Sequence, residues 1–273
     1  MTGPVCAAEQ DPAAYAREIM QMVEDRPDGT DSYARTTISI TDRFGETNSV
    51  EILRFRHDFG PENRDQYTFS LITDPVEMAN TRVLTKDYHD IDRIDDQWIM
   101  IPGIDEVKRI AVDSYTSKLM GSDITYGDLS TRDLDNYDFT LEGEEKVGDW
   151  DTTVISFVPN TQEEIDRFGY VRGKVWVDTN SFLVVRSVFD MVQPGQSKLF
   201  MTHEMAFVDG FWTPLDMTFV TQIDGNVSSS TRMRLFDMRF DTGISTDLFT
   251  VEALQGVATT DQLSAAAYSK GQP

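Results

Sequence analysis

Most of the chain alternates apolar and polar residues with a period of two, which indicates β-strands. The alternating segments are separated by short turns such as DTNS, QPGQ, VDG and DGN, which are typical of hairpins. The segments before residue 103 are YARTTISIT, SVEILRFRH, QYTFSLIT, TRVLTK and QWIMIP. Those after residue 136 are YDFTLEGEEKVGDWDTTVISFVP, YVRGKVWVD, FLVVRSVFDMV, KLFMTHEMAFV, FWTPLDMTFVTQI and SSSTRMRLFDMRF. Together they predict a mainly β fold, an antiparallel meander of about eleven strands that curls on itself.

One early segment has helical spacing instead. Asp11 and Pro12 open it as the N-cap and a first-turn residue, and RPDG at residues 26–29 ends it. The apolar positions that fall on one face are Tyr15, Ile19, Met22 and Val23. The pattern therefore predicts an N-terminal helix that packs on the main domain.

Large apolar side chains collect on one side of several predicted strands. The shared positions are Leu53 and Phe55, then Tyr67, Phe69 and Leu71, and then Phe211, Leu215, Met217, Phe219 and Ile223. A curved sheet with such a face either fills its interior with its own side chains or keeps a hydrophobic cavity. The alternation by itself leaves both alternatives open.

The charge of the chain narrows the class of partner. Its 273 residues carry a formal net charge of −23, which repels phosphate backbones and anionic lipid surfaces. We therefore expect no nucleic-acid partner and no polybasic membrane anchor. The acidic residues are 32 Asp and 15 Glu, and this Asp-rich surface suits hydration in high salt, with a cationic partner as the alternative. No run of eighteen apolar residues predicts a membrane-spanning helix.

Residue patterns for catalysis or metal binding are missing from the sequence. His57, His89 and His203 form no HExxH motif, and there is no GxSxG elbow or P-loop. The acidic run DYHDIDRIDDQW at residues 87–98 lacks the spacing of a calcium loop, so a solvated connection is the better interpretation. The single cysteine, Cys6, is isolated. We expect neither an enzyme nor a cofactor or metal site.

The first residues indicate export. The stretch VCAAEQ, with Cys6-Ala7-Ala8, looks like the small-residue end of a secretory signal. We interpret residues 1–10 as the remnant of a signal trimmed near the mature start, with Met1 added. Residues 11–255 then form a single domain, and residues 256–273 form a flexible tail.

Two central stretches, DDQWIMIPGIDEVKRI and KLMGSDITYGDLSTRDLDNYDFTLEGEE, resemble the outer-membrane lipoprotein-sorting protein family, the LolA-like periplasmic carriers. The resemblance continues in order through GKVWVDTNSFLVVRSVFD, VDGFWTP and FDTGISTDLFT, so it spans Thr36 to Val251. It implies an incomplete antiparallel β-barrel with an N-terminal helix and short lid helices over the open mouth. It also implies a monomeric periplasmic protein that carries acyl chains of lipoproteins or lipids toward the outer membrane.

For residues 118–133 the resemblance implies a lid, with a fixed plug as the alternative. Asp123 and Asp128 would cap backbone amides while the apolar side chains point toward the cavity. The predicted ligand-binding set joins these side chains to the strand positions: Leu53, Phe55, Phe69, Leu71, Met120, Ile124, Tyr126, Leu129, Leu215, Met217 and Phe219.

The motifs match a broader branch of the family, whose members are often associated with transporters of the resistance–nodulation–division type. The alternative function is therefore a non-carrier accessory protein that docks on such an inner-membrane transporter. The chain departs from this branch at Asn80, where relatives commonly have glycine. Because asparagine tolerates the left-handed conformation, we expect the turn to be kept.

Overall fold

The structure, a computed structural model, describes residues 11–90, 93–103, 106–110, 115–130 and 132–256, apart from the side chains of Met120 and Leu129. The strands are β1 (Asp31–Thr41), β2 (Thr47–Phe59), β3 (Asp65–Asp74), β4 (Arg82–Asp87), β5 (Asp96–Met100), β6 (Val107–Ile110), β7 (Tyr137–Val147), β8 (Trp150–Pro159), β9 (Tyr170–Asp178), β10 (Val184–Met191), β11 (Gln196–Val208), β12 (Phe211–Ile223) and β13 (Asn226–Phe240). The helices are α1 (Pro12–Glu24), α2 (Tyr126–Leu129), α3 (Gln162–Phe168) and α4 (Val251–Gly256), with 3-10 turns at Pro61–Asn63, Leu119–Gly121, Leu134–Asn136 and Thr246–Phe249.

The strands form one open antiparallel sheet. Their order is β6-β5-β4-β3-β2-β1-β13-β12-β11-β10-β9-β8-β7, so β6 and β7 are the two edges. The chain must therefore pass from one edge of the sheet to the other between these two strands. The described part of this connection, residues 115–130 and 132–136, is called the strap below.

The predicted fold class is confirmed: the protein is mainly β, the sheet does not close, and short helices accompany it. The described residues hold thirteen strands where the sequence predicts about eleven. One reason is that β6 has four residues, too few for an alternation to be recognised. Asn80 has a φ of 66°, so it adopts the left-handed conformation expected where relatives have glycine.

Helix α1 begins as predicted. Its N-cap is Asp11, whose carboxylate accepts a hydrogen bond from the amide of Ala13 at 3.2 Å. Its buried residues are Ala16, Ile19 and Met20. The predicted face is wrong at Tyr15, which is 39% exposed, because the helix is rotated so that Ala16 makes the close contact with the sheet.

Strand pairing shows which side chains share a face of the sheet, because directly opposite residues point to the same side. From Phe219 on β12, the pairing leads to Phe200 on β11 and then to Ser187 on β10. In the other direction it leads to Thr231 on β13 and Ile40 on β1. Helix α1 and the strap lie on this side, which we call the strap face.

The opposite side, the back face, carries a second core on β1 to β5. Phe55 is paired with Phe69, which is paired with Leu84, and all three are at most 2% exposed. The segment after β13 covers this core, with Phe249 at 2% and Leu254 at 0% exposure. The two faces thus have separate cores with different covers.

The chain ends lie largely outside the described residues. This applies to the predicted signal remnant at residues 1–10 and to the predicted tail, apart from Gly256, which is the last residue of α4. None of the described helices has the length and apolar character needed to cross a membrane.

Candidate ligand-binding site

A cavity of about 240 Å³ lies on the strap face between α1, the strap and strands β7 to β12. Its walls are mostly apolar and aromatic, and four charged side chains reach it. The lining residues are Met20, Val23, Glu24, Asp128, Arg132, Leu134, Tyr137, Phe139, Phe157, Val175, Val184, Ser187, Phe189, Lys198, Phe200 and Phe219. An apolar cavity of about 150 Å³ suffices to hold benzene, so this one admits a longer hydrocarbon segment.

Aromatic pairs build the walls from neighbouring strands. The ring centroids of Phe200 and Phe219 are 5.0 Å apart, and those of Phe157 and Phe189 are 5.9 Å apart. Gly173 on β9 lies between Phe157 on β8 and Phe189 on β10. A Cβ at Gly173 would come within 2.4 Å of the Phe157 ring. Glycine at this position therefore lets the two phenyl rings approach across β9.

A buried ion pair marks the end of the cavity beneath α2. The Lys198 ammonium contacts the Asp128 carboxylate, and their side chains are 6% and 10% exposed. Asp128 also accepts hydrogen bonds from the Tyr170 hydroxyl and from the amide of Thr125, the latter at 2.6 Å. Burial disfavours the charged carboxylate, but Lys198 and these donors outweigh it and hold the pKa of Asp128 below its usual range.

The Arg132 guanidinium lies in an aromatic environment. Its central carbon is 5.1 Å from the ring centroid of Phe168, 5.6 Å from Tyr170 and 5.7 Å from Phe189. Among the described residues its one hydrogen bond is long, 3.4 Å from Nη2 to the carbonyl oxygen of Gly127, and Nε is buried without a partner. The side chain therefore brings a positive charge with free donor capacity to the cavity.

Glu24, at the end of α1, lines the mouth of the same cavity. The residue keeps contact with solvent, yet loss of hydration raises the pKa of its carboxyl group, and the charge of Arg132 opposes this rise.

The strap is fastened across the sheet by buried polar groups. The Asp123 carboxylate, 1% exposed, accepts hydrogen bonds from Thr221 at 2.6 Å, Thr231 at 2.8 Å and Ser229. Its amide donates to the Thr231 hydroxyl at 2.8 Å. These bonds fix the strap to β12 and β13 at the middle of the sheet.

A second attachment reaches the far half of the sheet. The Tyr126 hydroxyl donates to the side-chain oxygen of Gln97 on β5 at 2.6 Å, and Ser130 donates to Asp95 at 3.4 Å. Asp128 performs the capping role predicted for it, because Thr125 and Asp128 form a capping box at the start of α2. The strap therefore connects β5, β12, β13 and β11.

The structure brings only part of the predicted ligand-binding set to the cavity. Phe219 lines it, and Leu215 and Met217 lie on the same face without reaching the lining. Ile124 of the strap is fully buried but does not line the cavity. The Tyr126 hydroxyl points to Gln97. The side chains of Met120 and Leu129 lie outside the described part of the chain.

The other four predicted residues are on the back face. Leu53, Phe55, Phe69 and Leu71 are at most 3% exposed and pack in the core that Phe249 covers. Strand alternation placed them correctly together. The sequence pattern does not show that their side of the sheet is opposite to that of Phe219.

Several residues of the site were not singled out from the sequence. Lys198 alternates with Phe200 and Thr202 in KLFMT, so a lysine stands on the same side of the strand as a phenylalanine, which is the signal that could have identified it. Arg132 and Glu24 have no comparable signal, because each stands among other polar residues, Glu24 at the last position of α1 and Arg132 in the connection after α2.

The open sheet with a helix and a strap on one face is the fold of the LolA-like proteins. A DUF1329 family protein from Desulfovibrio piger superposes with a TM-score of 0.78 at 25% identity, covering 90% of this chain and all of that one. An outer membrane lipoprotein-sorting protein domain from Vibrio parahaemolyticus gives 0.75 at 23% identity, covering 89% and 100%. A LolA superfamily protein from Nitrosomonas europaea gives 0.60 at 16% identity, covering 87% and 98%.

The family itself follows from the sequence match. A family model described as "-like: Uncharacterized protein" matches residues 64–256, which is more than half of the chain, so the chain belongs to this family. No curated protein matches it. These solved structures confirm the predicted LolA-like fold.

Proposed function

We propose that this protein is a non-enzymatic carrier that shields an acyl chain of a lipid or lipoprotein in the strap-face cavity. The observation that carries the proposal is the cavity itself. One core of the sheet is filled by Phe249 and Leu254, whereas the strap-face core keeps about 240 Å³ open among aromatic side chains.

Burial of hydrocarbon supplies the affinity. Each methylene removed from water contributes about 0.8 kcal/mol, so a segment of about ten methylenes yields roughly 8 kcal/mol before the costs of binding. The walls offer phenyl rings and aliphatic side chains, and no catalytic group is required for this task. A carrier needs no more chemistry than this.

The fold supports a periplasmic setting for the carrier. A similar fold occurs in the Vibrio protein described as an outer membrane lipoprotein-sorting domain. We therefore propose an exported, monomeric protein that takes its cargo through the periplasm toward the outer membrane. An inner-membrane transporter is the partner that would load it.

Native mass spectrometry of the purified chain, with lipid extraction of any adduct, tests the proposal. We expect a bound fatty acid or lipid, or binding of added hexadecanoate or hexadecanamide after delipidation. Failure of every acyl probe to bind would leave the accessory role, docking on a transporter, as the better account.

A cavity-filling variant locates the binding. Val184 lines the cavity, so Val184→Phe should occupy part of it and weaken acyl binding about tenfold or more. The matched control is Val220→Phe, because Val220 follows Phe219 on β12 and points to the back face. Equal affinities for the two variants would place the acyl chain elsewhere.

A further inference from the structure

The two acidic and two basic side chains of the cavity are not paired equally. Asp128 is paired with Lys198 and accepts the Tyr170 hydroxyl and the Thr125 amide, so its charge is compensated within the protein. Among the described residues Arg132 has no comparable partner: Nε is buried without a hydrogen bond, the Gly127 contact is 3.4 Å long, and Asp128 and Glu24 attract its charge without forming an ion pair with it. A partly buried cation with unused donors is costly unless an anion joins it.

Aromatic stacking does not use up the donors of Arg132. The rings of Phe168, Tyr170 and Phe189 surround the guanidinium, and such contacts engage its flat faces. Its N–H groups lie in the guanidinium plane, where they fit the two oxygens of a carboxylate or phosphate. The rings thus hold the guanidinium so that its N–H groups, which make only one long hydrogen bond among the described residues, remain available to an incoming anion.

The remaining carboxylate at the site is Glu24. It lies at the mouth, is exposed to solvent and forms no ion pair with Arg132 among the described residues, although the two charges attract each other. A volume of about 240 Å³ suits one hydrocarbon segment rather than two parallel chains.

We infer that the cavity selects a single-chain amphiphile whose anionic head group, a carboxylate or a phosphate monoester, pairs with the Arg132 guanidinium. The inference rests on the proposed acyl-carrier function and specifies its ligand. The chain lies against Phe157, Phe200 and Phe219, and the head group lies toward α2 and the Phe168 ring.

Competition binding on the delipidated full chain tests the inference with probes of equal chain length. Hexadecanoate carries the anion, hexadecanamide is its neutral counterpart, and hexadecyl phosphate represents the phosphate source. We expect the wild type to bind at least one anionic probe about tenfold or more tightly than the amide, the scale of one charge-assisted hydrogen bond. The preference should shrink as salt concentration rises.

Substitutions test whether Arg132 is responsible for the preference for anionic probes. Arg132→Gln should reduce the ratio of anion affinity to hexadecanamide affinity to about one, and Arg132→Lys should retain part of that ratio. The matched control is Arg172→Gln, because the Arg172 side chain is 71% exposed and pairs with Asp190 on the surface. This control should keep the full preference.

The outcomes separate the two proposals. If the wild type binds the amide as tightly as both anions, the Arg132 inference is overturned and the acyl-carrier function stands. A preference that survives in Arg132→Gln also overturns the inference, because the anion is then recognised elsewhere. If no probe binds, both proposals fail. Preference for hexadecanoate over hexadecyl phosphate, or the reverse, supports the inference and identifies the head group.

Discussion

The two cores of the sheet start from similar sequences and end in different states. Phe69 on β3 and Phe219 on β12 both stand in strands of alternating apolar and polar residues. Phe69 is fully buried in the back-face core, whereas Phe219 is half-buried and lines a cavity. The strands alone do not explain this difference.

The segments that cover the two faces do explain it. On the back face, Phe249 and Leu254 enter the core and leave it closely packed. On the strap face, α1 contributes Ala16, Ile19 and Met20 to one side of the core, and charged groups on the strap hold the other side. The back-face core is filled by the side chains of its cover, whereas the strap-face core keeps a cavity beside a cover that is fastened largely by polar bonds.

The largest expected effect contrasts the two phenylalanines. Phe69→Ala should destabilise the protein by about 3–5 kcal/mol, because it empties a packed site, and Phe219→Ala by about 1 kcal/mol, because its ring already borders a void. Urea unfolding measures both losses of stability. Phe44→Ala is the control, because Phe44 is 76% exposed. Equal losses for Phe69 and Phe219 would mean that the strap-face cavity is closed in solution.

The second prediction concerns the fastening of the strap. Lys198→Met should destabilise the protein by about 3 kcal/mol, because it leaves the Asp128 carboxylate buried without its cation. Lys146→Met is the control, since the Lys146–Asp151 pair is exposed and should contribute almost nothing. Thermal unfolding at neutral pH compares them.

The pH dependence of the same pair has a defined sign. Because the folded pKa of Asp128 is below its unfolded value, the pair stabilises the protein above about pH 4 and the gain is lost as the pH falls through the folded pKa. The difference in the free energy of unfolding between Lys198→Met and the wild type should therefore become smaller in acid. A gap that does not change with pH would contradict the assigned charges.

The sequence predicted the strands and α1 well, but it did not predict which face of the sheet each apolar side chain occupies. Alternation identified the strands around Phe69 and Phe219, and the N-cap pair Asp11–Pro12 located α1, because both signals are local. Which face each strand shows is not local, since it depends on pairing through β1 and β13. The predicted binding set therefore combined Phe219 with four residues of the opposite face.

The charged part of the site was beyond sequence reasoning for a related reason. Asp128 could be predicted as a helix cap from Thr125-x-x-Asp128, since that motif is contained in four residues. Its partner Lys198 is 70 residues away and Tyr170 is 42 away. Contacts of this range depend on the strap crossing the whole sheet, which no local pattern records.

The third prediction concerns the carboxyl groups of Asp87 and Asp95. They lie where the strap reaches the far half of the sheet, since Ser130 of the strap donates a hydrogen bond to Asp95. Burial, the charges of Asp95 and Asp65 and a hydrogen bond to Asp95 raise the pKa of Asp87 to about 8. Since the unfolded value is about 3.9, the folded state binds the extra proton between these values, and this group makes stability fall as pH rises from about 4 to 8. Asp87→Asn keeps the shape without the charge.

We expect Asp87→Asn to stabilise the protein by about 1–3 kcal/mol at pH 8 and to have little effect at pH 5. Urea unfolding at the two pH values measures the difference, and Asp138→Asn on the exposed side of β7 is the control. Stabilisation of equal size at both pH values would show that Asp87 is ionised throughout.

The smallest expected effect decides between a lid and a fixed plug. Tyr126→Phe removes the hydrogen bond to Gln97 and leaves a buried amide oxygen without its donor, so the free energy of unfolding should fall by about 1 kcal/mol.

If the strap is a plug, hydrogen exchange of residues 118–130 and the dissociation rate of a bound acyl probe should change by less than about threefold. If the strap is a lid that opens from the β5 end, the same substitution should accelerate both by about fivefold, the factor that 1 kcal/mol gives when opening limits release. Because Asp123 and Asp128 hold the strap elsewhere, we expect the slow, plug-like result, and a fivefold acceleration would make Tyr126 the latch of a moving lid.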